Sequence, residues 1–509
     1  MFNSSTWQSH AEYHNNFNHF LSSGLSDDML SGLIVTYAAE HKKLMSLNLD
    51  SVGEYASQYY SDQGRPAKNQ AQLLRSFILL VFLFNRTNAR LSLTKWICDV
   101  LPNNPLFIAL IGCSDKKNLP PVGSYFNFID RFWGDSRDCY SRSHILPAGK
   151  NGKKPKKEFG PDGKLIEPEP DHYSTEEFGK KLLQGEELSQ GEAATLQDIF
   201  YLIAVLPSII CGLINTDNLT ISGDGTAVGV HANPYGKTPS TCNKSQCIYT
   251  EDCTARHYSD PTAKWGWDSH EKNWYFGHTL YMLNCHNKEL HIDLPLLINY
   301  TGAERHDSIN FLYAWDAFSR HSGDLMPTNI CLDSAHDNYP TYRLLDHLNI
   351  NALIDINGRS KNSIDGMPED ITYDKEGHPL CKAGYKMYFW GHDKSRNADK
   401  YRCPLKCKSS GICECNCQDE CPSKSKYGRT FYVRDESDLR FHPRIPRGSS
   451  KYTEIYSERT ASERINNRIL NDYHLQEMKI RGIDHFSFWT MIIGICVHLD
   501  ARYKVGALK

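Results

Sequence analysis

Apolar positions change their period along this chain, and the changes divide it. Residues 1–148 carry them at helical spacing, most clearly in AQLLRSFILLVFLFNRTNARLSLTKWICDVL, which follows Pro66 and stops at Asn103, Asn104 and Pro105. A second helical stretch, SYFNFIDRFW, comes after Pro120, Pro121 and Gly123, with Ser124 expected as its N-cap. Short helices joined by tight breaks suit a helix-turn-helix-like DNA-binding unit, and a helical scaffold or oligomerisation domain would look the same. Residues 149–190 read as a linker, with five lysines between Lys150 and Lys157 followed by proline, glycine and acids. An amphipathic helix is expected from about Gly191 to Asn215.

From about residue 216 the period shifts to that of strands. NLTISGDGTAVGV and WYFGHTLYMLNCHNKELHIDLPLLINY predict three strands, the last two joined by a turn at His286 to Lys288. SINFLYAWDAFSRH predicts a helix. TNICLDSAHD and NALIDING then predict two short strands separated by a helical YPTYRLLDHL. That order gives an α/β core, residues 191–357, with a mixed sheet flanked by helices. Residues 358–450 interrupt it as a turn-rich, cysteine-rich, β-containing insertion. Residues 451–509 return to helical spacing in YSERTASERINNRILNDYHLQEM and in the largely apolar FSFWTMIIGICVHLDARY.

Composition narrows the function classes. Of 509 residues, 40 % are hydrophobic and 23 % charged, the balance of a folded globular protein. The longest apolar runs, Ser76 to Phe84 and Met491 to Leu499, fall well short of the about 20 residues a membrane helix needs. The polar start MFNSSTWQSH lacks the order of a signal peptide, so no membrane association and a cytoplasmic setting are expected. Thiols stay reduced there, so the 17 cysteines are expected to be buried, metal-bound or incidental rather than paired.

Three acids stand out by position. Asp224 ends a predicted strand in S-G-D-G-T, Asp333 ends another in C-L-D-S-A-H-D, and Glu463 lies on the later helix in Y-S-E-R-T-A-S-E-R. Acids at strand ends point into the crevice where α/β sheets hold ligands. Two or three of them can hold paired divalent metals about 3.5–4 Å apart for phosphoryl transfer. Each acid also has a plainer reading. Asp224-Gly225 is a good hairpin turn, Asp333 a good N-cap, and Glu463 an exposed partner for Arg459 four residues earlier.

Taken together, these residues resemble the DDE-type transposases of bacterial insertion sequences, whose catalytic core is RNase H-like. Tyr456-x-x-Arg459-x-x-x-Glu463 is similar to the Y-(2)-R-(3)-E signature of one large subgroup. That signature usually continues to a basic residue seven positions after the Glu, where this chain has Leu470, with Arg464 and Arg468 close by. GRPAKNQAQLLRSFILL and LPPVGSYFNFIDRF look like the helical domain preceding such cores. The resemblance covers roughly residues 60–500. It implies metal-dependent cleavage and strand transfer of double-stranded DNA, at terminal inverted repeats and target, by a homodimer in a synaptic complex associated with the nucleoid. It also implies Asp224, Asp333 and Glu463 as ligands of Mg²⁺ or Mn²⁺. Arg459, with Arg464, Arg468 and Tyr456, would meet DNA, although Tyr456 is read first as a packing residue. His336 and Asp337 are open between orienting a ligand and starting a helix. A metal-dependent nuclease, a domesticated relative, and a non-catalytic zinc-ribbon nucleic-acid-binding protein remain the alternatives.

The insertion adds six cysteines within nineteen residues: Cys403, Cys407, Cys413, Cys415, Cys417 and Cys421. A structural Zn²⁺ wants about four thiolate or imidazole ligands in a tetrahedron, so zinc is the expectation and free structural thiols the alternative. Cys242, Cys247, Cys253 and His257 are spaced more loosely and read as unrelated thiols before a second site. The formal net charge of −3 is an average over unlike parts. Between Lys382 and Arg481 there are 21 Lys+Arg against 13 Asp+Glu, a local +8 where phosphate contacts would be needed.

Overall fold

The computed structural model describes residues 7–22, 27–57, 67–87, 92–131, 158–159, 165–166, 174–188, 194–234, 259–260, 262–269, 271–357, 370–374, 378–406, 421, 423, 425, 427–434 and 439–508. Between residues 7 and 131 the regular elements among the described residues are helices. Helix α1 (Gln70–Thr87) is apolar on nearly every side and is buried from Gln70 to Phe84, as a helix without a polar face must be. Its one buried cation, Arg75, donates to Gln8 Oε1 at 2.7 Å and lies 3.8 Å from the Tyr13 ring centre. The next predicted helix starts at Val122 rather than after Ser124. Pro120 and Pro121 supply the start, because proline suits the entry to a helix, and Ser124 N donates to Pro121 O inside the first turn.

The expected helix from Gly191 appears as Ala194–Phe200, a wider π-helical turn at Tyr201–Val205, and Leu206–Ile210. The sheet follows. Its strands are β1 (Thr220–Gly229), β2 (Lys264–Asp268), β3 (Asn273–Asn287), β4 (Ile292–Gly302), β5 (Asn329–Leu332) and β6 (Asn351–Ile354). β3 is antiparallel to β1 on one edge; on its other edge it is antiparallel to β4, with β2 continuing that edge. β5 joins the free edge of β1 in parallel, and β6 joins β5 in parallel. The crossovers are α2 (Asp307–His321), between β4 and β5, and α3 (Tyr339–His347), between β5 and β6. This is the expected mixed sheet, and β3 is continuously buried from Gly277 to Cys285 because it is covered on both faces. β2 was not anticipated. Its Trp-Gly-Trp alternation is short, and Gly266 is there because a Cβ would stand 2.3 Å from Ala303 O.

Past the core lies a hairpin of Ile371–Tyr373 with Pro379–Cys381, then a three-stranded antiparallel sheet: β7 (Tyr388–Asp393), β8 (Ala398–Arg402) and β9 (Thr430–Arg434). The chain returns to the core through Arg440. Its guanidinium grips Asp337 with two hydrogen bonds of 2.7 and 2.6 Å in a nearly dry setting. A helix capped by Ser449 (Ser450–Tyr456) leads through a tight turn to α4 (Thr460–Asn467) and a π-helical stretch to Asp472. The last helix is α5 (Ile483–Lys504), as its apolar sequence predicts. Phe77 of α1 meets Phe488 and Trp489 of α5 with ring centres 4.9 and 5.4 Å apart. One apolar cluster therefore runs from Trp7 to Ala501, through both the N-terminal helices and the sheet. Among the described residues, no helix is long and apolar enough to cross a membrane.

Candidate active site

Side chains alternate along β1, and that alternation builds the site. Ser222 turns to one face, where the Ser462 hydroxyl of α4 donates to it at 2.8 Å. Asp224, two residues on, shares that face, and Asn466 Nδ2 of α4 donates to its Oδ2 at 3.3 Å. Gly223 and Gly225 turn the other way. A Cβ on Gly225 would stand 2.2 Å from Asp307 Oδ1, and one on Gly223 would stand 2.7 Å from the Tyr281 hydroxyl. Gly225 thus leaves the space into which a second carboxylate, at the start of α2, fits, and Gly223 leaves room for Tyr281. The hairpin-turn alternative for Asp224-Gly225 is overturned: both residues lie within a strand that runs on to Gly229.

Asp333 arrives from the neighbouring strand. The parallel register pairs Thr220 with Asn329 and Ser222 with Cys331, so the same step brings Asp333 level with Asp224 just where β5 ends. Its carboxylate caps the following turn, accepting from Ala335 N at 3.0 Å, and His336 Nδ1 donates to it at 2.6 Å. The Tyr281 hydroxyl bonds the other ring nitrogen of His336 at 2.8 Å, which fixes the fully buried imidazole from both ends. His336 is therefore an orienting residue for Asp333. Asp337, by contrast, is committed to Arg440, to Tyr342 and to Asn357 N.

Electrostatics bind these groups together. Burial pushes the Asp224 carboxyl up to about 7, and the charges of Asp307 and Asp333 push the same way against His336 and Arg459. Asp307 is raised as well, first by burial. For Asp333 burial also pulls upward, but the His336 hydrogen bond and charge outweigh it and hold the carboxyl below its usual value. Burial would lower His336, yet its bond to Asp333 and the surrounding acids keep its pKa above the ordinary histidine value. Asp307 escaped the sequence reading because R-H-D-S looks like an ordinary helix start. The signal that could have found it is Gly225, the glycine just after Asp224, whose missing side chain leaves room for another group.

The last helix contributes less directly. Glu463 is 55 % exposed, and Arg459 Nη2 donates to its Oε1 at 2.6 Å, the ion pair that the four-residue spacing allows. Asn466, three positions later, is the α4 side chain that touches Asp224. The structure thus gathers Asp224, Asp307 and Asp333 and leaves Glu463 on the flank, with Arg459 between. Arg464 is held by Asp293 at 2.6 and 2.7 Å, and Arg468 lies 3.3 Å from Asp500. Tyr456 stacks on Tyr452 at 5.4 Å and donates to Leu332 O at 3.2 Å, the residue just before Asp333. It packs, as expected. Tyr456→Phe should keep that packing and cost about 1 kcal/mol of stability in urea unfolding, the typical worth of one hydrogen bond.

Of the clustered cysteines, Cys407, Cys413, Cys415 and Cys417 lie outside the described residues, as do Cys242, Cys247, Cys253 and His257. Cys403 and Cys421 are free thiols. Cys403 is buried just past β8, against Gly428, whose positive φ of 72° and missing Cβ let the two segments touch. Among the described residues no three His, Cys, Asp or Glu side chains form a ready-made metal cage. The donors around Asp224 are nonetheless hard carboxylate oxygens, the type Mg²⁺ and Mn²⁺ prefer. Their crowding, visible in the raised Asp224, is what a cation would relieve. No protein-family model matches this chain, and no curated protein matches it.

Proposed function

We propose that this protein is a DDE-type transposase that cleaves DNA and transfers the freed strand, on an RNase H-like core. The observation that carries this reading is the parallel register of β1 and β5, which pairs Ser222 with Cys331 and, continued by two residues, sets Asp333 just past β5 level with Asp224. It is supported by the chain order of four antiparallel strands, a helix, a parallel strand, a helix and a last parallel strand, with β3, β1, β5 and β6 adjacent in that order, β4 on the outer edge of β3 and β2 continuing that edge.

In this mechanism Asp224 and Asp333 would hold Mg²⁺ or Mn²⁺, with Glu463 as the further ligand that the resemblance implies. When bound, such a cation would polarise the scissile phosphate and lower the pKa of the attacking hydroxyl. His336 and Ala335 N fix the Asp333 carboxylate in one orientation, so little reorganisation is needed when charge develops. Arg459 has the planar fork that suits a phosphate. A DNA phosphate on Arg459 would compete with Glu463 for the guanidinium. Duplex element ends and a target are the substrates, and joining two ends calls for two copies of the chain.

The test uses the full chain and a duplex carrying the inverted repeats that flank its coding sequence. Mg²⁺ should produce nicked and strand-transferred products on a denaturing gel, and EDTA should abolish both. Absence of Mg²⁺-dependent cleavage overturns the reading, and cleavage without joined products reduces it to a nuclease.

A further inference from the structure

The three-stranded sheet β7–β8–β9 has two unlike faces. On one, Phe389, Tyr401, Phe431 and Val433 close a small apolar core with Ile371 and Cys381. Tyr388 and Trp390 stand on the other face, 61 % and 50 % exposed, with ring centres 6.5 Å apart. The strand register sets Arg402 opposite Tyr388. Its guanidinium lies 4.3 Å from the Trp390 ring centre and 4.7 Å from that of Tyr427, itself 46 % exposed. Farther along, Arg396 and Lys400 lie 4.5 and 5.5 Å from the Tyr432 ring. Asp393, 3.9 Å from Arg396, is an acid at the rim.

Rings and cations thus alternate over a rigid sheet. Large exposed rings offer flat surfaces on which bases stack, and cations between them match the phosphates of a strand. Arg402, held between two rings, keeps those surfaces preorganised. A purely apolar partner would leave the cations unmatched. A duplex keeps its base faces stacked inside, where these rings cannot reach them without unpairing it. We propose that this face is a stacking platform for the unpaired bases of single-stranded DNA. The inference goes beyond strand cutting and needs none of the carboxylates.

Fluorescence anisotropy of the full chain with a labelled 15-nucleotide oligothymidine tests it. The single strand should bind more tightly than a blunt duplex of equal length at the same salt. The double variant Tyr388→Ala/Trp390→Ala should weaken single-strand binding by roughly ten- to a hundred-fold, and Trp390→Phe should stay within a few-fold of wild type. A second measurement needs no variant: an abasic strand of the same length should bind wild type at least about tenfold more weakly. Equal binding of abasic and normal strands, or of wild type and double variant, overturns the proposal. Asp224→Asn should leave single-strand binding intact, so failure of the platform and failure of the cutting reaction are read separately.

Discussion

Asp224→Asn should destroy strand cleavage and, in metal-free solution at pH 8, make the protein more stable. The first effect follows from losing a charged metal ligand, which forfeits several kcal/mol of transition-state stabilisation, roughly a thousand-fold or more in rate. The second follows first from the burial of Asp224, to which the charges of Asp307 and Asp333 add. Its carboxyl is pushed up to about 7 in the folded chain, against about 3.9 in an unfolded one. Between those values the folded protein holds a proton that the unfolded chain has released. Stability from this group is therefore fully present below about pH 4 and is lost as pH rises through about 7. Asparagine keeps the shape without the charge. In EDTA at pH 8 the variant should gain on the order of 2 kcal/mol in urea unfolding, a difference that vanishes by about pH 4. Added Mg²⁺ should stabilise wild type and leave the variant unmoved. A variant equal to wild type at pH 8 would show that neither burial nor the neighbouring carboxylates make the charged Asp224 costly in the folded chain.

The features that could be read from the sequence are those set by local periodicity. β1, β3, β4, α2, β5, α3 and β6 follow from alternation and helical spacing, and α1 and α5 from unbroken apolar runs. What escaped depends on contacts between distant segments. Lys264–Asp268 becomes a strand because β3 extends beyond β4 and offers it an edge. Asp307 joins the site only because Gly225, some eighty residues earlier, leaves room for it. Glu463 was legible as a helical acid, but which side of α4 faces β1 is decided by Ser462 and Asn466, and sequence spacing alone does not fix that rotation. The same holds for Arg464: its charge is plain in the sequence, whereas its commitment to Asp293 follows from where β4 begins. Asp337 shows the limit most clearly, since two readings fitted it and a residue 103 positions away decides between them.

That residue, Arg440, gives the largest stability effect expected here. Asp337→Ala should destabilise the protein by about 3–5 kcal/mol, because it strands a buried guanidinium without its counter-charge. Side-chain exposure in the pair is 5 % for Arg440 and 0 % for Asp337. Burial would lower the Arg440 pKa, yet the Asp337 hydrogen bond and charge raise it, so the cation stays charged and its loss of partner is felt in full. Arg447, also buried, compounds the effect: it donates to Ile354 O at 2.7 Å and to the Tyr342 hydroxyl at 2.8 Å, and that hydroxyl in turn donates to Asp337. Arg444, four residues from Arg440, pairs with Asp346 at 2.7 Å, but both side chains are more than a third exposed. Arg444→Ala should therefore cost no more than about 1 kcal/mol. The double variant Asp337→Leu/Arg440→Met should lose less than the sum of its single changes, since it removes both charges together. The contrast is measurable by urea unfolding of Asp337→Ala, Arg444→Ala, the double variant and its two single changes beside wild type. Equal, small losses for Asp337→Ala and Arg444→Ala would mean that water reaches Arg440. The insertion's return to the core would then not depend on this pair, and the Asp333–His336 turn beside it would be held by its own hydrogen bonds alone.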